Sequence, residues 1–143
     1  MIKLILATLL LATTAQSLAR TSPQGIVPLH AASYGESVRE YSIIESQAEK
    51  LAKWDPAQTA APLTTSQAIT KARAWLKVRH PKFDGFEPTE ISLRRVSYSR
   101  FTALWYYTIR FDGLVGQTRS YVPEMEAVVL MDGTVVEPKR GKP

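Results

Sequence analysis

Trp105-Tyr106-Tyr107-Thr108-Ile109-Arg110-Phe111 alternates without a break. Side chains of an extended chain point to opposite sides with a period of two. Trp105, Tyr107, Ile109 and Phe111 therefore share one face, and Tyr106, Thr108 and Arg110 share the other. The spacing predicts a strand over 103–111, with its aromatic face turned to a core.

Upstream, Thr64 to Arg79 reads as a helix. Thr64 and Gln67 have capping-box spacing: the threonine oxygen can accept from the Gln67 amide while the glutamine side chain reaches back. Ala68, Ile69, Ala72, Trp75 and Leu76 fall within about a third of the helical circumference, with Thr70, Lys71, Arg73, Ala74 and Lys77 opposite. Pro81 ends the run. Between helix and strand, Glu90 to Val96 carries Ile91 and Leu93 at alternate positions and predicts another strand. Downstream, Asp112-Gly113 has the chemistry of a turn. Met125 to Met131 is apolar on both faces, as a central strand requires. Asp132-Gly133 then predicts a two-residue hairpin turn, with Met131 opposite Thr134 and Val129 opposite Val136.

The fold expected is α+β: one amphipathic helix packed on an antiparallel meander of about four strands. Residues 20–63 read as a leader and linker with one short element. Arg20 to Gly35 is rich in Pro, Gly, Ser and Ala without a period. Ser37 to Trp54 is ambiguous: Tyr41, Ile44, Ala48 and Leu51 have helical spacing, Val38 to Ile44 could form a strand, and a helix is favoured in the second half. Asp55 to Leu63, after the break at Pro56, reads as a crossing loop. Residues 139–143 read as a fraying basic tail.

The first nineteen residues have the pattern of an export signal. Lys3 gives a positive start, Leu4 to Thr14 is uncharged and largely apolar, and Ser17-Leu18-Ala19 suits cleavage after about Ala19. The run is shorter than the roughly 20 residues of a membrane span. A periplasmic or extracellular protein without a lasting membrane anchor is expected. The chain of 143 residues has no cysteine and a formal net charge of +5. Disulfides, thiolate metal sites and thiol nucleophiles are thereby excluded, and such a charge favours weak attraction to anionic surfaces.

Taken together, Thr64-Thr65-Ser66-Gln67-Ala68-Ile69, the strand Trp105 to Phe111 and Val128-Val129-Leu130-Met131-Asp132-Gly133-Thr134-Val135 resemble the PepSY-like group of small exported domains. The resemblance spans residues 64–138. It departs from the group in the long Gly113–Glu124 stretch with Pro123, and in having a segment before Leu63. It implies a non-catalytic module, and a role in restraining peptidases has been proposed for the group. It offers no active site to transfer.

The residues themselves form no catalytic constellation. His30 and His80 stand in unrelated contexts, and ligand clustering for a metal is absent. His80 beside Arg79 and Lys82 suits a helix end. No Gly-x-Ser-x-Gly elbow or phosphate-cradling glycine loop occurs. Asp84, Asp112 and Asp132 suit turns. Glu124 and Glu126 would share a face and read as solvent-facing charge. Lys71, Arg73, Lys77, Arg79, Lys82, Arg94, Arg95 and Arg100 form a basic cluster read chiefly as solvated surface. If the back of the sheet is uncovered, Tyr106 and Arg110 make an exposed aromatic-basic patch. With Arg94 and Arg95 they form the expected interaction surface.

No catalytic residue, metal ligand or cofactor is expected, and no nucleic-acid partner. The function expected is an exported binding module for a protein or peptide. The alternatives are a small-ligand-binding, cystatin-like α+β protein and a structural envelope protein.

Overall fold

A computed structural model describes residues 25–122 and 125–141, with the backbone alone at Ser99. The export-signal pattern, the first residues of the leader and Glu124 lie outside the described residues. The protein is α+β with two antiparallel sheets. The smaller sheet has the order β1-β2-β8, formed by Ile26–Tyr34, Ser37–Ile44 and Lys139–Gly141. The larger has the order β3-β4-β6-β7, formed by Gly85–Arg95, Trp105–Val115, Glu126–Leu130 and Val135–Val136, with β5 (Thr118–Ser120) also pairing to β4. Helix α1 is Glu45–Ala48 and α2 is Thr65–Arg79.

Helix α2 begins where local chemistry starts it. The Gln67 amide donates to Thr64 Oγ1 at 3.2 Å and the Thr64 amide donates to Gln67 Oε1 at 2.9 Å. The buried residues are Ala68, Ala72 and Leu76, a narrow strip that repeats every four residues. With Ile69 and Trp75 beside it, this strip meets Tyr107, Ile109, Phe111, Ala127, Val129 and Met131 on one face of the larger sheet. Two basic residues of the helix are not simply solvated. Arg73 Nε donates to the Phe86 carbonyl at 2.9 Å, and Lys77 Nζ donates to that of Phe83. They tie α2 to the start of β3.

The other face of the larger sheet corrects the expected layout. Residues 26–34, read as part of an irregular leader, are the first strand of a β-hairpin that runs to residue 44 and turns at Gly35 with φ 62°. Residues 38–44 belong to a strand, and the short helix α1 follows them. The hairpin lays Val27, Tyr41 and Ile43 on Tyr106, Val128, Leu130 and Val136, a second core. The back of the sheet is therefore covered. The segment read as a fraying tail pairs with β2, in the register Val38↔Gly141, Arg39↔Arg140 and Glu40↔Lys139.

Two turn readings also change. Asp112-Gly113 lies inside β4, where Gly113 pairs with Phe86. A Cβ at Gly113 would sit 2.4 Å from the Phe83 ring, so close approach of that ring explains the glycine. The final hairpin has a three-residue loop, Met131-Asp132-Gly133, with Gly133 at φ 87°. Gly133 N–H donates to Leu130 O, and Leu130 N–H to Thr134 O, both at 2.9 Å. The register is Val128↔Val136 and Val129↔Val135, one residue from that expected. A slip of one exchanges the two faces. Accordingly Val136 joins the hairpin-side core and Val135 packs on the helix side.

Candidate functional site

The hairpin-facing side of the larger sheet holds the strongest polar constellation. Glu90, Arg110 and Glu126 are register partners across β3, β4 and β6. Arg110 Nη1 donates to Glu90 Oε2 at 3.0 Å, and Arg110 Nε to Glu126 Oε2 at 3.0 Å. Glu126 is 1% exposed. The reading of it as solvent-facing charge is overturned, because the first hairpin closes over it.

That hairpin brings its own polar groups. A β-bulge between Pro28 and His30 changes the parity of β1. Val27 and His30 can then both face inward, and His30 opposes Tyr41 across the hairpin. His30 Nε2 lies 2.8 Å from Glu126 Oε1. That is an ion-pair distance, but it is not aligned as a hydrogen bond, and Tyr34 Oη also finds no aligned partner among the described residues. Tyr41 O–H donates to the Glu126 main-chain carbonyl at 3.2 Å. A second bulge, between Pro88 and Glu90, precedes the outer end of the ladder.

The electrostatics follow from this packing. Burial alone would push the Glu126 carboxyl up, but His30 and Arg110 beside it more than offset that and hold it below the usual carboxylate range. Burial, and then the Glu126 charge, push the Tyr34 and Tyr41 phenols far above their ordinary value. The hydrogen bond to Glu126 raises Arg110 further. The cluster is suited to joining two sheets. Among the described residues, no group of three or more His, Asp or Glu side chains could hold a metal ion.

The four residues expected to share a surface divide into two sets. Tyr106 is 3% exposed and its hydroxyl donates to the Leu29 carbonyl, so it anchors the hairpin. Burial raises its phenol, with Arg94 acting the other way. Arg110 belongs to the charge ladder. Arg94 and Arg95 stay exposed and line a groove of about 400 Å³ with Pro28, Leu29, Ser97 and Tyr106. Arg94 Nε donates to Thr108 Oγ1 at 3.3 Å. The expected exposed patch is thus corrected at Tyr106, which β1 covers, whereas the Arg110 side chain stays 52% exposed.

Next to this groove runs β3, an eleven-residue edge strand of the larger sheet. Ile91 and Leu93 are each 40% exposed. They pair in register with Ile109 and Tyr107, so they continue the helix-side face past the cover of α2. Of the two histidines, His30 enters the buried cluster. His80 caps α2, its amide donating to the Leu76 carbonyl at 2.8 Å and its ring packing edge-on to Phe83.

Fold and site define an α+β protein whose central sheet carries a helix on one face and a second antiparallel sheet on the other. No protein-family model, curated protein or solved structure matches the chain. No helix among the described residues is long and apolar enough to cross a membrane.

Proposed function

We propose that the protein is an exported, non-catalytic binding module that takes an extended segment of a protein or peptide partner on the free edge of β3. The observation that carries this reading is the regular run Glu90–Arg95 on a sheet edge, with Ile91 and Leu93 partly exposed. An added strand would satisfy the edge's backbone groups and cover both side chains. Pro88 and its bulge guard only the first half of the strand. The edge of β1 is less suited, because its regular stretch after the bulge exposes only the small Ala31 and Ser33. The PepSY-like resemblance of residues 64–138 and the export pattern favour the same kind of role, including restraint of a peptidase outside the cytoplasm. A small-ligand pocket between helix and sheet is less well supported, because Leu76, Tyr107, Phe111 and Met125 are buried in that core.

Amide hydrogen exchange of the full chain tests the reading, with and without an excess of an extended peptide of alternating valine and threonine. Protection is expected along residues 90–95 and not along β1. Unchanged exchange at β3 under saturating peptide would refute it.

A further inference from the structure

Arg94 and Arg95 end the same edge strand, and their charge is unspent. Among the described residues, Arg79, Arg100, Arg110 and Arg119 each hold a carboxylate, whereas Arg94 and Arg95 hold none. The Arg94 contact to Thr108 uses one of the five N–H groups of a guanidinium. The other basic groove, lined by Arg39, Arg79, Lys139 and Arg140, already contains a carboxylate, Glu137, bound to Arg79. The groove that Arg94 and Arg95 line with Pro28 and Leu29 has no acidic lining residue, although Arg95 also borders a second groove that contains Asp55.

The geometry points to an acidic side chain, carried by the strand that adds to β3, as the group this groove receives. The inference rests on the β3-edge reading above and specifies its ligand. Register sets the pattern. Arg94 pairs with Tyr106, so it lies on the hairpin side, while Leu93 and Ile91 lie on the helix side. Residues opposite one another on neighbouring strands share a face. A strand running antiparallel to β3 would therefore carry an acidic residue opposite Arg94, an apolar residue next, and a second apolar residue two positions later. A parallel strand would carry the same pattern in reverse. An aspartate or glutamate so placed gains charge-assisted hydrogen bonds from a guanidinium.

Fluorescence anisotropy with labelled, end-blocked peptides tests this on the full chain. One peptide holds Asp-Val-Thr-Val between neutral flanks, and another holds the reverse order. Each is compared with its Asp-to-Asn counterpart and with a scramble of equal charge. The Asp peptide in one of the two directions is expected to bind about fivefold more tightly than its Asn counterpart. That preference should disappear in the double variant Arg94→Gln/Arg95→Gln. The single variant Arg94→Gln, at an exposed position, should by itself remove most of the preference even if the double variant folds poorly by circular dichroism. Equal binding of the Asp and Asn peptides would overturn the inference and leave the edge reading standing. So would a preference that survives both substitutions. A scramble that binds as tightly as the Asp peptide would show a general anion site and overturn it too. Failure of every peptide to bind would overturn the edge reading, and this inference with it.

Discussion

The two faces of the central sheet are closed by different means. On the helix side, Ala68, Ala72 and Leu76 of α2 meet Tyr107, Ile109, Phe111 and Val129, and the contact is one of apolar volume. On the hairpin side an apolar core adjoins a charge ladder, Glu90–Arg110–Glu126, with His30, Tyr34 and Tyr41 around its buried end. The first closure depends on shape and is insensitive to pH. The second depends on every charge keeping its neighbour, since a buried carboxylate is costly unless it is paired. One sheet thus carries a non-directional contact on one face and a directional contact on the other.

This contrast can be broken from either side. Phe111→Ala removes a fully buried ring from the helix side and should cost about 4 kcal/mol by urea denaturation. That loss should be the same at pH 4 and pH 7 to within about 1 kcal/mol, because no nearby charge changes its neighbours. Arg110→Ala should cost about 2 kcal/mol at neutral pH by removing the half-exposed guanidinium from the buried Glu126 carboxylate, which keeps only His30 beside it. Arg110→Met/Glu126→Leu should recover most of that loss. A double variant no more stable than the single one would show that the ladder is worth more than apolar filling.

The acid limb of the stability curve sharpens the contrast. The Glu126 carboxyl is lowered in the folded state, so the unfolded chain binds its proton first as the pH falls. Its contribution is fully present above the ordinary carboxylate value of 4.5 and is lost as the pH drops through the lower folded value. The charged and titratable groups around it are His30 and Tyr34 from β1, Tyr41 with Arg39 beside it from β2, and Arg110, with Glu90 behind it. Urea midpoints measured below pH 5 should fall more steeply in the wild type than in Glu126→Gln; identical slopes would remove Glu126 from the acid response. The smallest effect belongs to the helix side. Thr64→Ala should cost about 1 kcal/mol by removing the cap, measured as the shift in thermal midpoint.

The helix side was legible because its signals are local. Thr64 and Gln67 are three residues apart, and the alternation of Trp105 to Phe111 assigns both faces of β4. Less of the hairpin side could be read, for reasons that lie in particular residues. The bulge at Pro28/His30 breaks the two-residue period of β1, leaving Val27 and Ala32 buried five positions apart where a regular strand would keep them on opposite faces. The turn signal at Gly35 was present, but the strand entering it had no period to pair with. Glu126 looks like an exposed acid because the arginine, histidine and tyrosines around it come from three other strands. The last hairpin slipped by one residue because Asp132-Gly133 fits a two-residue turn as well as the end of a three-residue loop. Of the candidate surface, Arg94 and Arg95 are exposed. Arg110 is exposed too but is tied into the charge ladder, and Tyr106 is buried, since only the fold shows that β1 lies over it.

Strand β8 carries a consequence for how the molecule is assembled. It pairs Lys139–Gly141 with Val38–Glu40, joining segments about a hundred residues apart into one sheet. The hairpin is among the first parts of the described chain to leave the ribosome, yet its outer partner is among the last. Until then the β2 edge stays unpaired, a surface on which a nascent chain can misassociate. Among the described residues, the strand that completes the smaller sheet is thus the last one made.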